Sequence, residues 1–144
     1  MKSIVRKRFF LWLAIFLSGC AVSHRAEIVM PEGISEKITW TSEELAEPIA
    51  FRTVKVMKSQ SDHLVCLNTA EKPHVHDRHD LSVFVLSGRG RIHLGDRSFE
   101  IKPGDIIQIP QGLRHWGENL GKSPTVAYVI FSPPFDGKDQ REVT

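Results

Sequence analysis

The sequence predicts an all-β fold, a single jelly-roll β-barrel, on three observations. Between residues 50 and 132 it runs in short stretches rich in β-branched and aromatic residues, the types that suit a pleated, half-buried surface. Turn chemistry breaks those stretches every eight or so positions, at Ser59-Gln60-Ser61-Asp62, Ser87-Gly88, Gly95-Asp96, Pro103-Gly104 and Gln111-Gly112. No long amphipathic helix, internal repeat or low-complexity tract interrupts the pattern. Many short strands joined by tight turns pack as a sandwich or small closed barrel, and 144 residues give one such core and not two.

The elements follow in chain order. Residues 1–19 carry Lys2, Arg6, Lys7 and Arg8, no acid, and the apolar run Phe9 to Leu17. This is a signal-peptide pattern, because the apolar run is shorter than the roughly 20 residues a membrane span needs. It closes on Leu17-Ser18-Gly19-Cys20, which resembles the lipobox of bacterial lipoproteins. The resemblance implies cleavage before Cys20, lipidation of that cysteine and anchoring in the cell envelope, since each buried methylene of an acyl chain contributes about 0.8 kcal/mol. Ala21 and Val22, with no acid at the second position, point by the same resemblance to the periplasmic face of the outer membrane. Setting the leader aside leaves fifteen basic against seventeen acidic residues. The expected mature chain is mildly acidic, so no basic patch suggests nucleic acid.

Residues 20–48 read as a linker and N-terminal arm, with Pro31, Gly33 and Pro48 as breakers. Thr41-Ser42-Glu43-Glu44 fits a capping box and predicts a helical turn near 42–47. Strands are expected at 50–58, 62–69, 73–78, 81–87, 90–95, 97–102, 105–109, 114–118 and 125–132, making 49–134 the barrel. Gly95-Asp96 is a two-residue hairpin signal. With Cys20 lipidated, Cys66 has no partner and reads as a small buried hydrophobe. The polar tail, 135–144, is expected to fray.

The chemistry lies in two clusters. His74-Val75-His76 is in extended sequence, where alternate side chains share a face, so both imidazoles can turn to one ion. His115 follows the tight corner Pro110-Gln111-Gly112, which sets its direction. Three neutral imidazoles plus a carboxylate suit a borderline divalent ion and leave positions open for water or substrate. Asp80 shares parity with His74 and His76 if the strand is unbroken and is then the carboxylate. If a bulge resets the register before Leu81, His79 turns inward instead. His24 and His63 have no such companions, while alternation along 91–94 can place His93 inside the barrel.

Residues 72–119 resemble the cupin superfamily. Its second motif, G-x5-P-x-G-x2-H-x3-N, is met at Gly104, Pro110, Gly112, His115 and Asn119. Its first motif, G-x5-H-x-H-x3,4-E-x6-G, is met at His74, His76 and Gly88, but Leu67 or a neighbour replaces the first glycine. Counting back from Gly88 puts Leu81 at the glutamate, while the shorter spacing from His76 puts Asp80 there. The resemblance implies a six-to-eight-stranded barrel with His74, His76 and His115 in the metal positions, and homodimers paired through edge strands.

Apolar walls are expected from Val83, Val85, Ile107 and Ile109, or from their alternates Phe84 and Leu86. Parity puts Trp116 on the outer face, and Arg114 and Tyr128 are candidate contacts for an anionic or hydroxylated ligand. Two functions fit. One is a metal-dependent enzyme of dioxygenase, isomerase or lyase type acting on a small molecule. The other is a tethered module that binds a metal or ligand without turning it over. Manganese, zinc, nickel or iron suits the donor set, and an oxidising periplasm disfavours retained ferrous iron.

Overall fold

The structure is a computed structural model that describes residues 26–31, 33 and 35–143. The leader, Cys20 and His24 lie outside the described residues. Among the described residues no helix is long and apolar enough to cross a membrane.

In chain order the elements are β1 (Glu27–Val29), β2 (Ser35–Lys37), α1 (Ser42–Ala46), β3 (Ile49–Val56), β4 (Ser61–Leu67), β5 (His74–His76), β6 (Asp80–Ser87), β7 (Gly90–Leu94), β8 (Arg97–Ile101), β9 (Ile106–Ile109), β10 (His115–Asn119), β11 (Thr125–Ser132) and β12 (Gln140–Glu142). All nine expected strands form. The capping box forms as read, with the Thr41 hydroxyl accepting from the Glu44 amide and the Glu44 carboxylate accepting from the Thr41 amide. Gly95-Asp96 turns β7 into β8 with Leu94 opposite Arg97.

Two five-stranded antiparallel sheets make the jelly roll, ordered β12-β5-β10-β7-β8 and β3-β4-β11-β6-β9. Alternation fills the space between them. Leu81, Val85, Ile107, Ile109, Ala127, Val129 and Phe131 come from one sheet and Ile92 and Ile101 from the other, with Val83 packed against them. The first of the two expected wall sets is therefore the inward one, and Leu86 faces the opposite side, against Ala50, Cys66 and Val126. The N-terminal arm covers that side with Ile38 and Trp40. Cys66 is fully buried, and burial pushes its thiol up to about 11, which keeps it an inert hydrophobe.

The tail does not fray. β12 pairs with β5 in the register Gln140 to His76, Arg141 to Val75 and Glu142 to His74, and Asp139 just before it is buried. Main-chain pairing with β5 holds a strand that has no apolar side chains of its own, and exposed ion pairs, Lys72 with Glu142 and Arg141 with Asp77, flank the seam.

Candidate metal centre

His74 and His76 sit on β5 and His115 on β10, with His115 directly opposite His74. All three are buried, and one ligand nitrogen from each lies within 4.8 Å of the others. Their ring centroids are 4.4, 5.2 and 5.5 Å apart. The second motif builds this meeting point. Gly112 takes φ +75°, a left-handed conformation natural to glycine, and its amide donates to the His76 carbonyl at 2.7 Å. The corner that aims His115 is thus pinned to the strand that carries His76. Asn119 closes the motif structurally, accepting from the Gly121 amide and the Thr125 hydroxyl and donating to the Asn68 carbonyl.

The donor set fits a divalent ion. The Nδ1 atoms of His74 and His115 each lie 2.8 Å from a main-chain carbonyl, of Lys72 and Leu113. A carbonyl only accepts, so both Nδ1 atoms carry protons and both Nε2 lone pairs are left for an ion. Burial, with His74 and His115 adding to it, pushes His76 down to about 4. Burial also takes His115 to about 4, against the bond to Leu113. Both rings are therefore neutral near pH 7, the state that binds metal.

These shifts have a stability consequence. Unfolded histidines titrate near 6.5, so between about 6.5 and 4 the unfolded chain binds more protons than the folded one. The contribution is full above about 6.5 and is lost as pH falls through about 4. Metal-free protein is expected to lose on the order of a few kcal/mol over that window. Thermal melting in chelator from pH 7 to 4 checks this, and a flat profile would contradict buried neutral imidazoles.

Asp80 does not join the cluster. It is exposed, and its carboxylate accepts from the Gln111 amide at 2.8 Å. Asp80 loses its parity with His74 and His76 because β5 ends at His76 and Asp77-Arg78-His79 carries the chain to the other sheet, where Asp80 opposes Ser132. His79 turns inward as the reset register requires, but both its nitrogens face oxygens, Nδ1 the Asp139 carboxylate and Nε2 the Pro134 carbonyl at 3.2 Å. Both are thus directed at the C-terminal segment, and His79 is not one of the residues that meet with His74 and His115. Leu81, the other residue at the motif's glutamate position, is buried in the cavity wall and has no donor atom to offer.

That cavity has a volume of about 460 Å³. Its walls are mostly apolar, including Leu81, Val83, Ile109, Val129 and Phe131, with the three histidines among them. Phe131 and Phe135 stack at 4.6 Å and stand 5.2 and 5.5 Å from His76, edge to face. Glu71, not among the residues expected at the site, also lines the cavity and accepts from the Gly117 amide at 2.7 Å. Burial raises its carboxyl above the ordinary range, against the pull of His74 and of the Gly117 N–H.

Other candidates stand apart. His93 is outside, stacked on Trp116 at 4.0 Å and bonded to Glu118 at 3.0 Å. The Arg114 guanidinium lies 4.8 Å over the Trp116 ring. Tyr128 alternates with the inward Ala127 and Val129, and burial beside Asp62 takes its phenol up to about 12. None of the four lines the cavity. His63 is structural, with Nε2 2.7 Å from the Ser61 hydroxyl and its ring stacked on Phe51.

Residues 64–131 match the cupin domain family. An uncharacterized protein of Aquifex aeolicus is 41% identical over 83 residues, 58% of this chain and 68% of that protein. The chain belongs to the cupin superfamily. A second relative of this cupin, an uncharacterized protein of Methanocaldococcus jannaschii, is 31% identical over 96 residues, 67% of this chain and 75% of its own. Among solved structures, KdgF from Halomonas sp. superposes with a TM-score of 0.58 at 24% identity, covering 62% of this chain and 82% of that one. Pac13, described as a nucleoside dehydratase and solved from Streptomyces also with uridine, gives 0.59 at 21%, covering 75% and 92%. At these identities the structural likeness shows the fold alone.

Proposed function

We propose that this cupin is a lipid-anchored envelope protein that holds one divalent ion on His74, His76 and His115 and acts on a small, largely apolar molecule bearing an oxygen function. The observation that carries the reading is the convergence of three buried imidazoles, two with Nδ1 fixed on carbonyls, at the wall of an apolar cavity. When bound, the ion supplies Lewis-acid polarisation of a substrate oxygen. The apolar walls exclude water and select a molecule of matching size. Of the cavity-lining carboxyls Glu47, Glu71 and Glu142, Glu71 is the one assigned to take or give a proton, and its raised proton affinity suits that work. A proton-moving carboxyl in the wall of the same cavity favours isomerase or lyase chemistry over simple ligand capture.

The test screens small phenolic and hydroxy-carbonyl compounds for turnover that requires added metal. Glu71→Gln is expected to keep the ion and lower kcat by about 10²- to 10⁴-fold. Metal-independent turnover, or full activity in Glu71→Gln, would count against the mechanism. Tight binding without any turnover would favour the module that only captures its ligand.

The anchor rests on the leader pattern and Leu17-Ser18-Gly19-Cys20. Cys20→Ser is expected to abolish incorporation of labelled palmitate and to release the protein from the membrane fraction. Unchanged labelling and fractionation would remove the anchor from this reading.

A further inference from the structure

Resting on the three-histidine reading, we propose that Asp139, brought in by the C-terminal strand, is a positioning residue that fixes His76 for the ion. The three ligands are not held alike. His74 and His115 each have Nδ1 on a main-chain carbonyl two residues earlier. His76, the ligand between them in the chain, has no such carbonyl, and its Nδ1 is buried without a hydrogen-bond partner. A buried polar atom left unpaired is costly enough to call for a partner. The acceptor facing it is the Asp139 carboxylate, 4.0 Å away and 6% exposed.

Asp139 is itself held. Its carboxylate accepts from the Arg78 amide at 3.0 Å, from Arg78 Nε at 3.3 Å, and from His79 Nδ1. His79 is steadied in turn by the Pro134 carbonyl, and the β12 register places the next residue, Gln140, directly opposite His76. A hydrogen bond needs a separation of about 3 Å, so the proposal has the His76 ring turn toward Asp139 when the ion binds. With its Nδ1–H drawn to Asp139, His76 presents Nε2 to the ion, like its two companions. The tail that sequence reading set aside thus completes the orientation of the site.

His76, His79 and Asp139 are also close enough to hold a second ion. Two observations weigh against it. Both His79 nitrogens are engaged, and a second dication would enter beside the Arg78 guanidinium already on Asp139.

The test combines ¹⁵N-histidine NMR of the zinc-loaded full-length protein in detergent with zinc titration of Asp139→Asn and Asp139→Glu. In the unaltered protein the expected result is one zinc per chain and a slowly exchanging proton on His76 Nδ1. Asp139→Asn should weaken zinc about 10- to 100-fold and move the His76 Nδ1 resonance while leaving those of His74 and His115 in place. Asp139→Glu should restore part of the affinity. The proposal is overturned by a His76 protonated on Nε2, by two zinc ions per chain, or by a folded Asp139→Asn with unchanged affinity and resonance. If Asp139→Asn does not fold, the protonation state of His76 in the unaltered protein decides alone. Absence of zinc from the unaltered protein would instead sink the three-histidine reading, and this inference with it.

Discussion

His115→Ala should reduce bound divalent metal from one ion per chain to a trace, with affinity falling at least 100-fold. The size of the effect follows from the donor set. Among the described residues three side chains meet at the site, and Asp80, the expected fourth, is exposed and bonded to the Gln111 amide. Removing one of three donors leaves two imidazoles on one strand, His74 and His76, which cannot close a coordination sphere. His115 is also the donor from the neighbouring strand, so its loss removes the cross-strand geometry as well as a bond. Elemental analysis after desalting, with circular dichroism to confirm the fold, checks the result. Asp80→Ala run in parallel should keep its metal. Retention in His115→Ala, or loss in Asp80→Ala, would show that the ion sits elsewhere.

The second large effect is on stability. Gly88→Ala is expected to cost about 4 kcal/mol or more. Gly88 has φ +87°, where a side chain is strained, and an added Cβ would come within 2.5 Å of the Pro124 carbonyl oxygen and 2.6 Å of Thr125 Cα. Those neighbours are backbone and have no rotamer by which to withdraw. Thr125 starts β11, the central strand between β4 and β6, so relief of the clash would disturb the middle of the sheet. Differential scanning calorimetry should show the melting temperature lowered by more than about 10 °C. A shift of only 1 or 2 °C would mean that the turn yields.

Most of the architecture could be read before the structure because its determinants are local. Alternation in Thr125–Ser132, the hairpin at Gly95-Asp96 and the capping box at Thr41 each depend on residues within a few positions of one another. The three histidines were legible for the same reason, since two share one strand and the third is aimed by its own corner. The failures involve relations that local pattern does not encode. Parity carried Asp80 past the crossing at Asp77-Arg78-His79, where the chain leaves one sheet for the other. β12 was missed because Gln140-Arg141-Glu142 has no apolar face and is held by main-chain pairing with β5. Asp139 was hidden with it, since its partners Arg78 and His79 are some 60 positions away in the chain. Glu71 was passed over because nothing in its neighbours announces a carboxyl bound to the Gly117 amide, 46 positions later.

X-ray absorption at the zinc edge tests the central claim most directly, on protein stripped with chelator, reloaded with one equivalent of zinc and desalted. Three imidazole nitrogens at about 2.0–2.1 Å, completed by oxygen from solvent, are the predicted first coordination sphere. Zinc lost on desalting, or retained without imidazole scattering, would contradict a metal centre built from His74, His76 and His115.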